Sequence, residues 1–191
     1  MPDQPTPPKK KPIWPWLLVG CGCLAALGVP ALIVVAIALP GLSGPSNVAR
    51  EEGAILELRS YCSAQVIYHR NDWDGNEVLE YATPYARLYN TKDPAGTEIM
   101  LIAPALAAAQ GPAGIPRYGY LFQDMQTLFG EKIDWVNDYA LCATPAVYGK
   151  TGRRTFIVNT NGTIFGKDLG RSEFPTDYPK DPQAEGWAIA E

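Results

Sequence analysis

The residues that act as nucleophiles, acids, bases or metal ligands are few in this chain. Its 191 residues hold one histidine, His69, and four cysteines, Cys21, Cys23, Cys62 and Cys142. A lone histidine leaves no histidine-pair metal site, and the cysteines lack zinc-finger spacing. Cys62 and His69 fall on one side of a helix but two turns apart, too far for a thiol–imidazole pair. His69 therefore reads as a helix-end residue. There is no G-x-S-x-G nucleophile elbow and no phosphate-binding P-loop. The carboxylate pairs Asp72/Asp74 and Asp134/Asp138 are of the right type for glycoside hydrolysis, but that chemistry depends on a separation that the sequence does not supply. The reading leans away from an enzyme without excluding one. It assigns no catalytic residue and no cofactor.

Two further groupings have ligand chemistry. Asn71-Asp72-Trp73-Asp74-Gly75-Asn76-Glu77 carries calcium-loop letters. With Gly75 at the sixth position of such a loop, the first position is Arg70 and the twelfth is Tyr81, which does not fit an EF-hand. Asp72, Asp74 and Asn76 remain a weak calcium candidate, and an acidic turn ending a helix explains the same letters. Cys62 and Cys142 have two readings in an oxidising compartment. They form a disulfide tying a helix to a distant strand, or they are two buried free thiols.

The elements that position these residues follow from periodicity. Ser46 or Asn47 is a plausible helix N-cap, with Glu51 and Glu52 in the first turns, where negative charge suits the helix dipole. From Val48 to Arg70, apolar residues Ile55, Leu58, Cys62 and Val66 recur at spacings of three and four, which predicts an amphipathic helix. Short helices are expected over Glu80–Tyr89 and Ile99–Ala109. Strands are expected from Tyr118 and over Tyr139–Val147. Asn161-Gly162 stands between β-branched and aromatic runs, and this predicts a type I′ hairpin turn joining strands 154–160 and 163–167. A proline-rich tail follows Gly170, anchored by Trp187.

The N-terminal part has a different character. No residue from Pro12 to Ala49 is charged, and Lys9, Lys10 and Lys11 stand just before this stretch. Residues 1–12 read as a disordered cytoplasmic tail. Residues 13–42 are long enough to cross a bilayer core of roughly 30 Å as one tilted helix. Trp14 and Trp16 suit the interface, and the lysines favour a cytoplasmic N-terminus. Leu18-Val19-Gly20-Cys21 has the shape of a lipoprotein cleavage box. The apolar run continues well past Cys21, however, which favours an uncut anchor. Residues 46–191 then form an extracytoplasmic domain. Removing Lys9, Lys10, Lys11 and Asp3 from 16 basic and 20 acidic residues leaves 13 against 19, a net charge of −6. Such a domain is a poor nucleic-acid binder.

Two resemblances add to this reading. Val29-Pro30 through Pro40-Gly41-Leu42, Asn47-Val48-Ala49-Arg50, Leu58-Arg59-Ser60 and Ala64-Gln65-Val66-Ile67-Tyr68 together resemble the long N-terminal helix of type IV pilins and type II secretion pseudopilins. The resemblance implies a membrane-anchoring helix with a small antiparallel sheet packed on its outer half. The family's glutamate five residues into the mature chain is absent, since position 25 is Ala25. From Ala49 to Trp187 the chain also resembles an uncharacterised bacterial family of extracytoplasmic domains of unknown function. The residues that carry this are Glu80-Tyr81-Ala82 after the acidic loop, Leu101 to Leu106, Gly119-Tyr120-x-Phe122, Pro145-x-x-Tyr148-Gly149-x-Thr151-Gly152-x-x-Thr155 and Lys167-Asp168-Leu169-Gly170.

The expected fold is α+β and pilin-like: an N-terminal transmembrane helix, then an amphipathic helix on a small antiparallel sheet. The expected function is a membrane-anchored, non-enzymatic structural or interaction module of the bacterial envelope. Its place is the inner membrane, and its partners are the lipid bilayer and other envelope, pilus or secretion-system proteins. The alternative is an envelope enzyme or small-ligand sensor using a groove between helix and sheet.

Overall fold

The computed structural model describes residues 46–190. The 1–12 tail, the 13–42 segment, Cys21 and Cys23 lie outside the described residues. Helix α1, Asn47–His69, begins where Ser46 caps it, its hydroxyl accepting the Ala49 N–H at 3.2 Å. Its buried face carries Ala54, Leu58, Tyr61, Gln65 and Tyr68, at helical spacings of four and three. This face is rotated from the expected stripe, because Val66 is 43% exposed and Cys62 only half-buried. Tyr61 and Tyr68 bring the largest apolar area on the helix, and Gln65 finds hydrogen-bond partners inside. Positions that score as polar therefore turn inward.

A 3-10 turn, Tyr85–Leu88, leads into β1 (Tyr89–Lys92), which pairs antiparallel with β2 (Glu98–Met100). Helix α2 spans only Pro104–Ala107. The strands that follow are β3 (Tyr120–Asp124), β4 (Thr127–Leu128), β5 (Glu131–Lys132), β6 (Ala140–Pro145), β7 (Arg154–Asn159), β8 (Phe165–Asp168), β9 (Asp177–Tyr178) and β10 (Ala188–Ile189). Five of them form an antiparallel sheet in the order β10-β8-β7-β6-β3. A smaller sheet, β5-β4-β9, contains a parallel pair, β4 with β9.

Alternation along the central strands sorts their side chains onto two faces. Tyr120, Phe122, Leu141, Ala143, Phe156 and Val158 join Leu58 and Tyr61 of α1 in one core. Ala140, Cys142 and Ile157 face the other way, against Met125, Ile133, Tyr178 and Trp187. Every residue of β6 is buried, as a strand covered on both sides requires.

These findings correct the expected pilin-like fold. The described residues hold ten strands in three sheets and two α-helices, rather than one helix on one small sheet. The main sheet has two covered faces, and the proline-rich C-terminal segment supplies strands to two of the sheets. No helix among the described residues is long and apolar enough to cross a membrane. The resemblance to a pilin helix therefore receives no support among the described residues. Two short helices also differ from expectation. Residues 98–100 are committed to β2, and only the four residues Pro104–Ala107 turn helical. Residues 80–84 are irregular before the 3-10 turn.

The 161–162 turn joins antiparallel strands β7 and β8, but pairing resumes only at Ile157 with Phe165. The Gly162 N–H donates to Asn159 O at 2.8 Å. Gly162 has φ +74°, whereas Asn161 is not left-handed. A type I′ turn needs both central residues left-handed, so this turn instead centres on Thr160 and Asn161, with Gly162 closing it.

Candidate functional site

Strand β3 carries a charged residue where its alternation calls for an apolar one. Asp124 follows Tyr120 and Phe122 on the face that meets α1. Its Oδ2 accepts the Tyr85 N–H at 2.8 Å, tying the 3-10 turn to the sheet. Its Oδ1 is buried without a partner. Burial pushes this carboxyl up to about 7, against the opposing pull of the Tyr85 N–H. A carboxylic acid in such a place holds its proton near neutrality.

The neighbourhood of Asp124 is polar but closed. Tyr85 Oη donates to Leu106 O at 2.9 Å. Gln65 Nε2 donates to Tyr61 Oη and to Ala82 O, both at 2.9 Å, while its Oε1 accepts the Ala82 N–H at 2.8 Å. Tyr61 meets Tyr85 and Tyr139 edge-on, at ring separations of 6.2 and 5.3 Å. Burial raises the pKa of Tyr61, Tyr85 and Tyr139 well above the usual phenol value. His69 stacks on Tyr81 at 4.2 Å, with its Nε2 2.9 Å from Val136 O. These rings fill the space between α1 and the sheet. A groove of about 260 Å³ instead opens along Glu52, Ile55, Leu56 and Arg59 of α1. The cluster can take up or release a proton, and none of its members lines the groove along α1.

The second assembly lies at the N-terminal end of α1. Glu51 is buried, and its Oε1 accepts the backbone N–H groups of Arg153 and Arg154 at 3.0 and 3.2 Å. Its Oε2 takes the Arg154 guanidinium at 2.7 Å. Asn47 Nδ2 donates to Gly149 O, and Arg50 Nη1 to Lys150 O. Tyr148 Oη donates to both oxygens of Asp168, at 2.9 and 3.2 Å, and the Arg153 guanidinium stands 3.7 Å away. The Gly170 N–H and then the Tyr148 hydroxyl hold Asp168 below the usual carboxylate range. The loop between β6 and β7 is thereby strapped to both α1 and the end of β8.

Glycines permit this arrangement. A Cβ on Gly152 would lie 2.1 Å from Tyr120 Oη, whose hydroxyl donates to Arg154 O at 2.8 Å. Gly119 is left-handed, at φ +80°, and a Cβ there would meet Thr151 Cβ at 2.8 Å. The Gly119-Tyr120 and Tyr148-to-Gly152 motifs thus meet each other in one packed corner.

The sequence candidates fare differently. Cys62 and Cys142 are free thiols. Cys62 packs on the α1 side of the sheet, and Cys142 lies in the core of the other face. The disulfide reading therefore gives way to two separated thiols, and burial raises the pKa of both. Asp72 is consumed by its own loop, accepting the Gly75, Asn76 and Glu77 N–H groups at 2.8 to 3.0 Å. Asp74 accepts from Asn76 and lies 3.9 Å from Arg87. Among the described residues no three His, Cys, Asp or Glu gather to hold a metal ion. In this structure Asp72, Asp74 and Asn76, the calcium candidate, form a hydrogen-bonded turn after α1. Asp134 caps the Val136 and Asn137 turn, and Asp138 accepts from Thr160.

Asp124 and Gln65 were not singled out from the sequence as site residues, and Glu51 was read only as an acid favoured by the helix dipole, not as the partner of Arg153 and Arg154. Only Asp124 left a readable sign, an acid continuing the Tyr120–Phe122 alternation. The partners of Gln65 and Glu51 lie 17 and about 100 residues away in sequence.

Among known proteins, the family described as Protein of unknown function (DUF2950) matches residues 47–177. No curated protein and no solved structure matches the chain.

Proposed function

The chain belongs to the DUF2950 family, and from that premise we propose that it is a membrane-anchored, extracytoplasmic interaction module of the bacterial envelope rather than an enzyme. The observation that carries this reading is the uncharged stretch from Pro12 to Ala49 behind Lys9, Lys10 and Lys11. A run of that length suits anchoring in a bilayer, and the lysines suit a cytoplasmic N-terminus. The non-enzymatic part is supported by how the reactive side chains are used. Tyr61, Tyr85 and Tyr139 are enclosed, Asp124 accepts the Tyr85 N–H, Asp72 and Glu51 bind backbone amides, Cys142 lies in a core and Cys62 packs half-buried against the other. The bilayer and other envelope proteins are the proposed partners.

A C-terminal fusion to a reporter active only in the cytoplasm tests the topology. Silence is expected, with the full chain resisting an alkaline carbonate wash of the membranes. Strong cytoplasmic activity, or release by carbonate, overturns the proposal.

A further inference from the structure

We propose that the α1 N-terminal end of the domain, with the loop between β6 and β7, is a docking surface for an anionic lipid surface. This rests on the anchoring reading above. The proposed anchor ends at Leu42, and α1 begins at Asn47. The four intervening residues reach at most about 14 Å when extended, so this end of the domain is the one held near the bilayer.

The groups found there suit that partner. Lys150 is exposed, and the Arg153 side chain is 65% exposed. Arg50 lies beside them through its bond to Lys150 O. Val48 and Val147 are exposed at 65% and 47%, one on the helix end and one on the loop. Of the nearby acids, Glu51 pairs with Arg154, and Asp168 pairs with Arg153 at 3.7 Å, so among the described residues the cations of this rim with no acid partner are Arg50 and Lys150. Glu52 sits one turn further along α1. A cationic rim with two apolar side chains is thus presented by a domain whose total charge is negative. Basic side chains at a membrane surface are attracted to anionic headgroups within a Debye length, while apolar ones enter the interface. The strapping of the loop to α1 by Glu51, Asn47 and Arg50 makes the rim a preformed surface.

The test uses the full chain in vesicles of phosphatidylcholine alone or with equal phosphatidylglycerol. Val147 is replaced by the photocrosslinking residue benzoylphenylalanine, and lipid adducts are read by mass spectrometry. Ala95, exposed at the tip of the β1–β2 hairpin, receives the same residue as a control. The expected result is lipid labelling from position 147 that is at least fivefold higher with phosphatidylglycerol. It should fall to the neutral-lipid level in high salt and in the Lys150→Glu/Arg153→Glu variant, and stay low from position 95. Equal labelling in both lipids, equal labelling from both positions, or crosslinking of position 147 to another polypeptide overturns the proposed surface. Flotation of the vesicles separates the two readings. A chain that does not float with them overturns the anchoring and the surface together, whereas a floating chain without adducts at position 147 overturns the surface alone.

Discussion

Asp124 is a single residue whose burial sets a measurable property of the whole domain. Unfolded, its carboxyl ionises near 3.8, and folded it holds its proton to about 7. Between those values the native state binds more protons than the unfolded one, so stability falls as pH rises. The contribution is fully present below 3.8 and is lost as pH climbs through 7. At about 1.4 kcal/mol per pH unit, the fall between pH 5 and pH 8 is on the order of 2–3 kcal/mol. Urea unfolding of residues 46–191 across that range should show it, and Asp124→Asn should flatten it. Parallel pH profiles for parent and variant would show that Asp124 is not the titrating group. Two glycines give a contrast at the same scale. Gly162→Ala meets no atom within 4 Å and should cost only the backbone term of about 1–2 kcal/mol. Gly152→Ala drives a Cβ into Tyr120 and breaks the Tyr120–Arg154 bond. It should lower the melting temperature further, by a strain of about 1–3 kcal/mol plus the lost hydrogen bond of about 1 kcal/mol. A smaller effect at Gly152 than at Gly162 would mean that the corner yields freely.

At the scale of elements, Glu51 joins α1 to β7 and its preceding loop. Glu51→Ala leaves the Arg153 and Arg154 N–H groups unpaired in a half-buried setting and should cost about 2–4 kcal/mol. Hydrogen exchange should then accelerate first at those two amides. Unchanged exchange there would place the hinge of stability elsewhere. Helix α1 and the central strands β3, β6 and β7 were legible, and the short strands β1, β2, β4, β5, β9 and β10 were not. Ser46 announced the start of α1, and β6 and β7 fell within the expected strand segments, because caps and alternation are local signals. The helix rotation was not legible, since hydropathy ranks Tyr61, Gln65 and Tyr68 below Val66. Their burial depends on the Ala82 backbone and on rings contributed by distant segments. The type of the 161–162 turn was missed for a related reason. Asn159 continues pairing with Ala140 of β6, which holds β7 on that side while β8 starts late. The buried acid Asp124 was readable as a break in alternation, but its meaning required the Tyr85 amide 39 residues before it.

At the scale of the molecule, the central sheet has to be covered twice. Helix α1 closes one face, and the C-terminal segment closes the other, although its prolines and charges give no periodic signal. Tyr178 and Trp187 enter the second core. β9 pairs with β4, β10 with β8, and the Ala190 N–H donates to Ile164 O at 2.9 Å. Thr144 Oγ1 on β6 donates to Glu173 O at 2.9 Å, and Lys167 Nζ binds Glu185 O and sits 5.8 Å from the Trp187 ring. This segment is therefore a structural layer, and removing it should uncover Ile157, Met125 and Cys142 to water. Cys142 reports the event, because it is fully buried in that core and its thiol is raised far above the ordinary range by burial. The truncation of residues 46–191 after Gly170 should raise maleimide labelling of Cys142 at least tenfold, with new binding of an apolar dye. Trp187→Ala is the milder version, removing a nearly buried ring at a cost of about 3–5 kcal/mol. It should accelerate labelling of Cys142 more than that of Cys62, which lies on the opposite face of the sheet. Labelling of Cys142 that stays slow in both variants would mean that the second face is closed by something other than the C-terminal segment, and the two-sided architecture would then lose its outer layer.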